Sequence, residues 1–291
     1  MAQAPAGGTL SVVGTPIGNL EDASPRVIRT LGEADLVLCE DTRVTGKLMS
    51  AFGLHVRLER CDENVMAEKL AGVLDRLAAG ERVAFVSDAG MPGVSDPGQR
   101  LVDAALDAGL RVEVVPGPSA VTCALVASGL ASEHFFFEGF LPRKAGAQRS
   151  RLEELAAVPG TIVVYESPRR AAETLARIAE VMPGRRVALV RELTKLHEEV
   201  VRGEAAELAE LVAARGELRG ECVIVIAAPE ADELEARRAA ASGPERTLGE
   251  EIAAGLASGE PKSALAKRLA KSFSLPRAEV YDKVVAAAAG E

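Results

Sequence analysis

The sequence Ser87-Asp88-Ala89-Gly90-Met91-Pro92-Gly93 ends an apolar run, Val83 to Val86, in a loop dense in glycine, proline and acid. Gln99 to Ala108 is periodic after it, and Asp96 and Pro97 suit the N-cap and first position of a helix there. A strand, a glycine-rich turn and a helix start mark the place where open α/β sheets bind ligands. Glycine lets backbone approach a ligand closely, and Asp88 can accept from ribose hydroxyls or amines. The loop offers no evident nucleophile; its residues suit binding.

Other chemistries lack their residues. Gly14-Thr15-Pro16-Ile17-Gly18-Asn19-Leu20 resembles a phosphate loop in its glycines but has no Lys-Ser/Thr to reach phosphate and magnesium. No GxGxxG follows the first strand, and no Gly-x-Ser-x-Gly elbow or Cys-His pairing points to acyl transfer. Cys39, Cys61, Cys123 and Cys222 lie far apart, and His55, His134 and His197 have no ligand spacing, so no metal site is expected. Several strand-end loops rich in Gly, Pro, Ser and acid remain, as in a cleft that brings a polar small molecule to a second substrate.

Those loops need a scaffold. Thr9–Gly14, Asp35–Cys39, Val56–Arg60, Val83–Val86 and Arg111–Val115 read as strands alternating with helices, which implies a mostly parallel sheet covered on both faces. Ser24 or Pro25 opens the first helix, and Asn64–Ala79 carries the third. A second cycle follows, with strands at Phe135–Phe137, Thr161–Tyr165, Arg186–Arg191, Glu198–Arg202 and Cys222–Ala227 in a mixed sheet. Ser167 and Pro168 suit the N-cap and first position of a helix within it. After Pro229 the composition turns to Ala, Glu, Arg and Lys; Thr247–Leu256, Lys262–Ser272 and Pro276–Ala286 read as three short helices resembling a helix-turn-helix module. The expected division is a disordered lead-in 1–8, α/β domains 9–130 and 131–229, and a helical tail 230–291.

The 291 residues carry a formal charge of -9, which argues against general affinity for nucleic acid. Two stretches run the other way: Arg143, Lys144, Arg149 and Arg151, then Lys262, Lys267, Arg268, Lys271 and Arg277, neither interrupted by an acid. Each is a solvated face or an RNA contact. No apolar run suits a membrane span, no signal peptide is visible, and a cytoplasmic location is expected.

Taken in order, Gly14–Leu20, Glu40-Asp41-Thr42-Arg43, Ser87–Gly93, Pro116-Gly117-Pro118-Ser119-Ala120 and Tyr165-Glu166-Ser167-Pro168-Arg169-Arg170 resemble the tetrapyrrole methylase family. The resemblance covers Thr9 to Pro229. It implies two α/β domains with S-adenosylmethionine (SAM) in the cleft between them, contacted by Pro16, Ser87, Asp88, Ala89, Gly90, Val94, Ser119, Ala120, Leu141, Tyr165 and Glu166. Within the family the loops are most similar to enzymes that methylate a cytidine 2'-hydroxyl of 16S rRNA in the small ribosomal subunit; a tetrapyrrole or other small acceptor is the alternative. The first acceptor implies RNA contacts at Arg143, Lys144, Arg149, Arg169, Arg170, Lys262, Lys267, Arg268 and Lys271, and the acidic total suggests an assembled subunit as substrate. Such a reaction needs a base, for which Glu40 and Asp41 are candidates, with Arg43 orienting them or holding a phosphate. The same turn suits a plain helix cap equally well. Where the family commonly has histidine, this chain reads Cys61-Asp62-Glu63-Asn64, so a histidine base cannot act there, though Glu63 or Asn64 could touch the acceptor. Family members are usually homodimers.

Overall fold

The computed structural model describes residues 7–93, 98–130, 133–216, 218–242, 247–273 and 275–289. The expected cap at Asp96 and Pro97, the cofactor contact Val94 and most of the expected lead-in lie outside them. The chain divides after Pro229 into two compact units.

The first unit begins with five strands alternating with helices: β1 (Thr9–Val13), α1 (Pro25–Gly32), β2 (Leu36–Cys39), α2 (Thr42–Ala51), β3 (Leu58–Arg60), α3 (Met66–Ala78), β4 (Arg82–Val86), α4 (Gly98–Asp107), β5 (Arg111–Val115) and α5 (Ala120–Ser128). The strands pair in the order β3-β2-β4-β1-β5, all parallel. β2 is buried throughout and β4 beyond its first residue, as expected of strands covered on both faces. Leu10, Leu38 and Phe85 pack against α3 and α4 on one face; Val37, Ala84 and Val86 meet Val27, Leu31 and Met49 of α1 and α2 on the other. Local chemistry sets the ends: Ser24 Oγ accepts the Val27 N–H at 3.2 Å and Pro25 follows as the first helical residue of α1.

The second sheet is built from β6 (Phe135–Phe140), α6 (Ala145–Leu155), β7 (Thr161–Glu166), α7 (Ala171–Val181), β8 (Arg186–Arg191), β9 (Glu199–Glu204), α8 (Ala205–Ala214) and β10 (Cys222–Ile226). Its order is β6-β7-β10-β8-β9, parallel only between β6 and β7. One face packs on α6, α7 and α8. The other receives Val121, Ala124 and Leu125 of α5 against Val163, Ala188, Val190 and Val225. Thus α5 leaves the first sheet and packs on the second, joining the two through an apolar contact.

One expected helix start needs correction. α7 begins at Ala171 with Arg170 as N-cap, not at Ser167 and Pro168. The Ser167 carbonyl accepts both the Arg170 and Ala171 N–H groups, so residues 167–170 form a separate turn. β6 also runs three residues beyond Phe137, with a register shift against β7 between Phe137 and Gly139.

Among its described residues the second unit holds four helices rather than three: α9 (Ala231–Ser242), α10 (Leu248–Ala257), α11 (Lys262–Ser272) and α12 (Arg277–Ala289). Thr247 and Glu250 form a reciprocal capping box on α10. Ile252, Leu265, Leu269, Val280 and Val284 make the core of the last three helices.

Candidate functional site

The carboxyl ends of β1, β2, β4 and β5 present their loops together, and backbone contacts lace them. Thr15 and Gly90 exchange N–H···O bonds of 2.9 and 3.1 Å, and Gly14 N–H donates to the Val115 carbonyl at 3.0 Å. Gly14 and Gly117 pass so closely that a Cβ on Gly117 would lie 2.6 Å from the Gly14 carbonyl carbon. Gly90 has φ +80, a conformation glycine takes without cost, and a Cβ there would meet Ile17 Cγ2 at 3.2 Å. Sequence adjacency could not show this lacing.

Between these loops and the second sheet lies a cavity of about 530 Å³, within the range of small-molecule sites. Of the expected cofactor residues, Ser87, Asp88, Ala89, Gly90, Ser119, Ala120, Tyr165 and Glu166 line it. Pro16 and Leu141 do not; their neighbours Ile17 and Phe140 do. Leu141 is buried in the core beside α6 instead. The register shift in β6 sets Phe140 opposite Tyr165, with ring centroids 5.6 Å apart. Sequence reasoning missed Phe140 and the stretch Gly220-Glu221-Cys222-Val223, which forms a further wall; Gly220 and Glu221 carried no signal beyond their place before an apolar strand.

The lining fits a nucleoside-bearing cofactor. Phe140 and Tyr165 give aromatic faces, Gly90 gives close backbone, and the exposed Asp88 gives a carboxylate. The α5 N-terminus adds Ser119, whose hydroxyl makes no capping bond. Burial, with the Glu221 charge second, pushes the Tyr165 phenol up, so it stays a neutral donor. Glu166 contributes differently. Its carboxylate accepts from Thr174 Oγ1 at 2.7 Å and the Ser167 N–H at 2.8 Å, with Arg170 at 3.5 Å. That buried network fixes the turn after β7.

At the end of β2 the two acids differ. Asp88 N–H donates to Glu40 Oε1 at 3.3 Å and Asp41 N–H donates to Asp88 Oδ1 at 3.2 Å, tying the two loops together. Glu40 lines the cavity; Asp41 does not. Asp41 is the N-cap of α2, accepting the Arg43 N–H at 2.8 Å and Arg43 Nη2 at 2.6 Å. The Arg43 guanidinium, aided by its backbone N–H, holds the Asp41 carboxyl well below the usual carboxylate range.

The basic stretches are less basic in space than in sequence. Arg149 pairs with Glu153 and Glu180, and Arg151 with Glu138 and Glu154. Arg170 turns inward to Glu166 and the carbonyls of Leu141 and Pro142, and Arg268 pairs with Glu251 and Glu260. Exposed positions remain at Arg143, Lys144 and Arg169, and on α11 at Lys262, Lys267 and Lys271. Among the described residues no group of His, Cys, Asp or Glu is placed to hold a metal ion, and no helix is long and apolar enough to cross a membrane.

Two α/β halves enclosing a ligand cavity at the carboxyl ends of a parallel sheet define a small-molecule-binding α/β protein. The profile of the Tetrapyrrole (Corrin/Porphyrin) Methylases matches residues 9–209, and the chain belongs to that family. It is 42% identical over 276 residues to the ribosomal RNA small subunit methyltransferase I of Streptococcus pyogenes serotype M1, covering 95% of this chain and 94% of that one. The protein of the same name from Mycobacterium tuberculosis is 48% identical over 230 residues, or 77% of this chain and 80% of its own. Among solved structures, a cobalt precorrin-4 methyltransferase matches with TM-score 0.57 at 19% identity, over 75% of this chain and 94% of that one. A Thermus thermophilus uroporphyrin-III C-methyltransferase complexed with S-adenyl homocysteine matches with TM-score 0.54 at 23% identity, over 76% and 97%. Identities this low establish the shared fold alone.

Proposed function

We propose that this protein transfers the methyl group of SAM to the 2'-hydroxyl of a cytidine ribose in 16S rRNA, acting on the small ribosomal subunit. The observation that carries this reading is similarity along nearly the whole chain: 42% identity to a ribosomal RNA small subunit methyltransferase extends over 95% of it. The alignment therefore reaches beyond the family profile, which ends at residue 209, into the C-terminal helices. SAM supplies an electrophilic methyl group on a sulfonium sulfur. Asp88, the backbone of Ala89 and Gly90, and Ser119 and Ala120 hold the cofactor, with Ser87, Phe140 and Tyr165 also lining the cavity.

Aligning oxygen, carbon and sulfur can supply roughly 7–11 kcal/mol of the barrier. The 2'-hydroxyl still needs to lose its proton, and of the two acids at the end of β2 Glu40 is the one that lines the cavity. Asp41 and Arg43 act on the reaction by fixing that loop. Lys262, Lys267 and Lys271, exposed along α11, and Arg143 and Lys144 before α6 meet RNA phosphates. The division 9–130, 131–229 and 230–291, a cytoplasmic location and a homodimer complete the reading. Val114, Val126 and Phe135, 54%, 75% and 47% exposed, are apolar surface that a second copy would cover.

The test is transfer of labelled methyl from SAM to purified small subunits lacking 2'-O-methyl marks, with naked rRNA alongside. Label on a cytidine ribose of the subunit is expected. SAM binding with no label in either RNA would refute the reading.

A further inference from the structure

The loop that follows β1 is held at two points. At its base Thr15 exchanges backbone bonds with Gly90, and farther along Gly18 lies against the connection between β8 and β9. A Cβ on Gly18 would collide with Lys195 Cγ, and would stand 3.0 Å from Lys195 Cε and 3.1 Å from the Leu193 carbonyl oxygen. The lysine stem thus rests on bare backbone.

That connection, residues 192–198, is a closed turn. Thr194 N–H donates to Glu198 Oε2 at 2.6 Å, Lys195 N–H to the Glu192 carbonyl at 3.0 Å, and Glu198 N–H to the Lys195 carbonyl at 3.1 Å. Glu192 and Thr194 stand within it at φ of 54 and 62.

The Lys195 ammonium ties the turn to a third segment. It lies 2.8 Å from Glu192 Oε1 and 3.0 Å from Glu221 Oε2. Glu192 Oε1 also accepts the Glu221 N–H at 3.0 Å, and the Glu192 N–H donates to the Glu221 carbonyl at 3.0 Å. Gly220 has φ +89, and a Cβ there would run into the Glu192 carboxylate. Burial alone would lower the Lys195 ammonium, but hydrogen bonds to the two carboxylates outweigh it and the group is raised. The Lys195 hydrogen bond in turn holds the Glu192 carboxyl below its ordinary value. One lysine therefore braces three segments remote in sequence.

Two of those segments help to form the cofactor cavity. Ile17, next to Gly18, lines it, and so do Gly220 and Glu221. We propose that Lys195 is a positioning residue for methyl transfer: it sets where the loop after β1 stands against the Gly220-Glu221 wall, and so the shape in which the cavity holds SAM. The proposal rests on the reading of this cavity as the SAM site. A misplacement of about 1 Å can cost roughly a hundredfold in rate, so a brace that touches no reacting atom can still govern the chemistry.

Four variants test it: K195M, which keeps the stem and removes the ammonium; K195A, which removes both; G18A; and G18A combined with K195A. Each is measured for SAM affinity by calorimetry, for melting, and for single-turnover methyl transfer to unmarked small subunits at saturating SAM. K195M is expected to weaken SAM binding roughly three- to tenfold and to slow transfer roughly tenfold or more. Its melting point is expected to fall by no more than about 4 °C, because an ion pair with a carboxylate as exposed as Glu221 holds little of the fold. G18A is expected to weaken SAM binding in the same way, yet to add less than about threefold in the K195A background, where the stem it would strike is gone. Wild-type SAM affinity and transfer in K195M, losses that go with a larger fall in melting, or Gly18 and Lys195 effects that simply multiply would each overturn the proposal. A wild type that binds SAM but labels no subunit defeats the rRNA reading alone, and SAM affinity across the four variants still decides the role of Lys195.

Discussion

Replacing Glu40 with glutamine separates catalysis from architecture at the end of β2. Gln keeps the length and an amide oxygen, so it can still accept the Asp88 N–H that Glu40 takes at 3.3 Å. The brace between the two loops survives; the proton acceptor does not. General-base catalysis typically contributes 10²–10⁴-fold, which at about 1.36 kcal/mol per decade is roughly 2.7–5.4 kcal/mol of barrier. Asp41→Asn is the matched control. Asn caps helices as well as Asp and can still accept the Arg43 N–H. What it loses is a charged contact with an Arg43 side chain that is 87% exposed, where solvent screens the pair.

Single-turnover methyl transfer to small subunits reads the chemical step directly, with thermal melts and SAM affinity as controls. E40Q is expected to slow transfer by roughly a hundredfold or more with melting and SAM affinity preserved. D41N is expected to stay within about threefold of wild type. Because Arg43 holds Asp41 below the usual carboxylate range, Asp41 is ionised at neutral pH and well into acid, and D41N leaves the shape of the pH–rate profile above about pH 5 unchanged. An E40Q enzyme within tenfold of wild type, or a D41N enzyme as slow as E40Q, refutes the assignment of the base.

Three further outcomes follow from the same geometry. Gly117→Ala drives a methyl into the Gly14 backbone at 2.6 Å; at about 1–3 kcal/mol for overpacking and about 2–4 °C per kcal/mol, a melting scan should fall by roughly 2–12 °C and SAM affinity should weaken. Burial pushes the Cys61 and Cys222 thiols up to about 11. Unfolded thiols lose their protons near about 8.5 while the folded ones keep theirs, so stability measured by denaturant should decline as pH rises from about 8.5 to about 11, less steeply in Cys222→Ala. Changing Lys262, Lys267 and Lys271 together to Gln should lower the log–log salt slope of rRNA binding by about 2 to 3, with melting unchanged.

What the sequence shows and what it hides divide along a physical line. The strand-end loops were legible because glycine, proline and acid at fixed offsets report local backbone demands: Ser24-Pro25 opens α1 and Asp41 caps α2 where local chemistry places them. Signals that needed a partner distant in sequence failed. Ser167 has the composition of a cap, but the Glu166 carboxylate takes its N–H and its carbonyl closes a turn, so α7 starts later. Arg149, Arg151 and Arg268 stand in acid-free stretches, yet Glu180, Glu138 and Glu251 reach them from other elements. Phe140 rather than Leu141 lines the cavity: a register shift between Phe137 and Gly139 sets Phe140 opposite Tyr165, while Leu141, just past the strand, is buried in the core.

The Lys195 brace is the extreme case. Its two carboxylates stand 3 and 26 residues away in sequence. The glycine that admits its stem is in the first loop of the chain. Nothing in the spacing of these residues marks them as one group. A left-handed Thr is where that hidden grouping becomes visible, since the loop keeps a conformation of order 1–3 kcal/mol above the ordinary one only because its surroundings over-determine it. Glycine at position 194 would relieve that cost at once, whereas a β-branched residue keeps it and retains one hydroxyl.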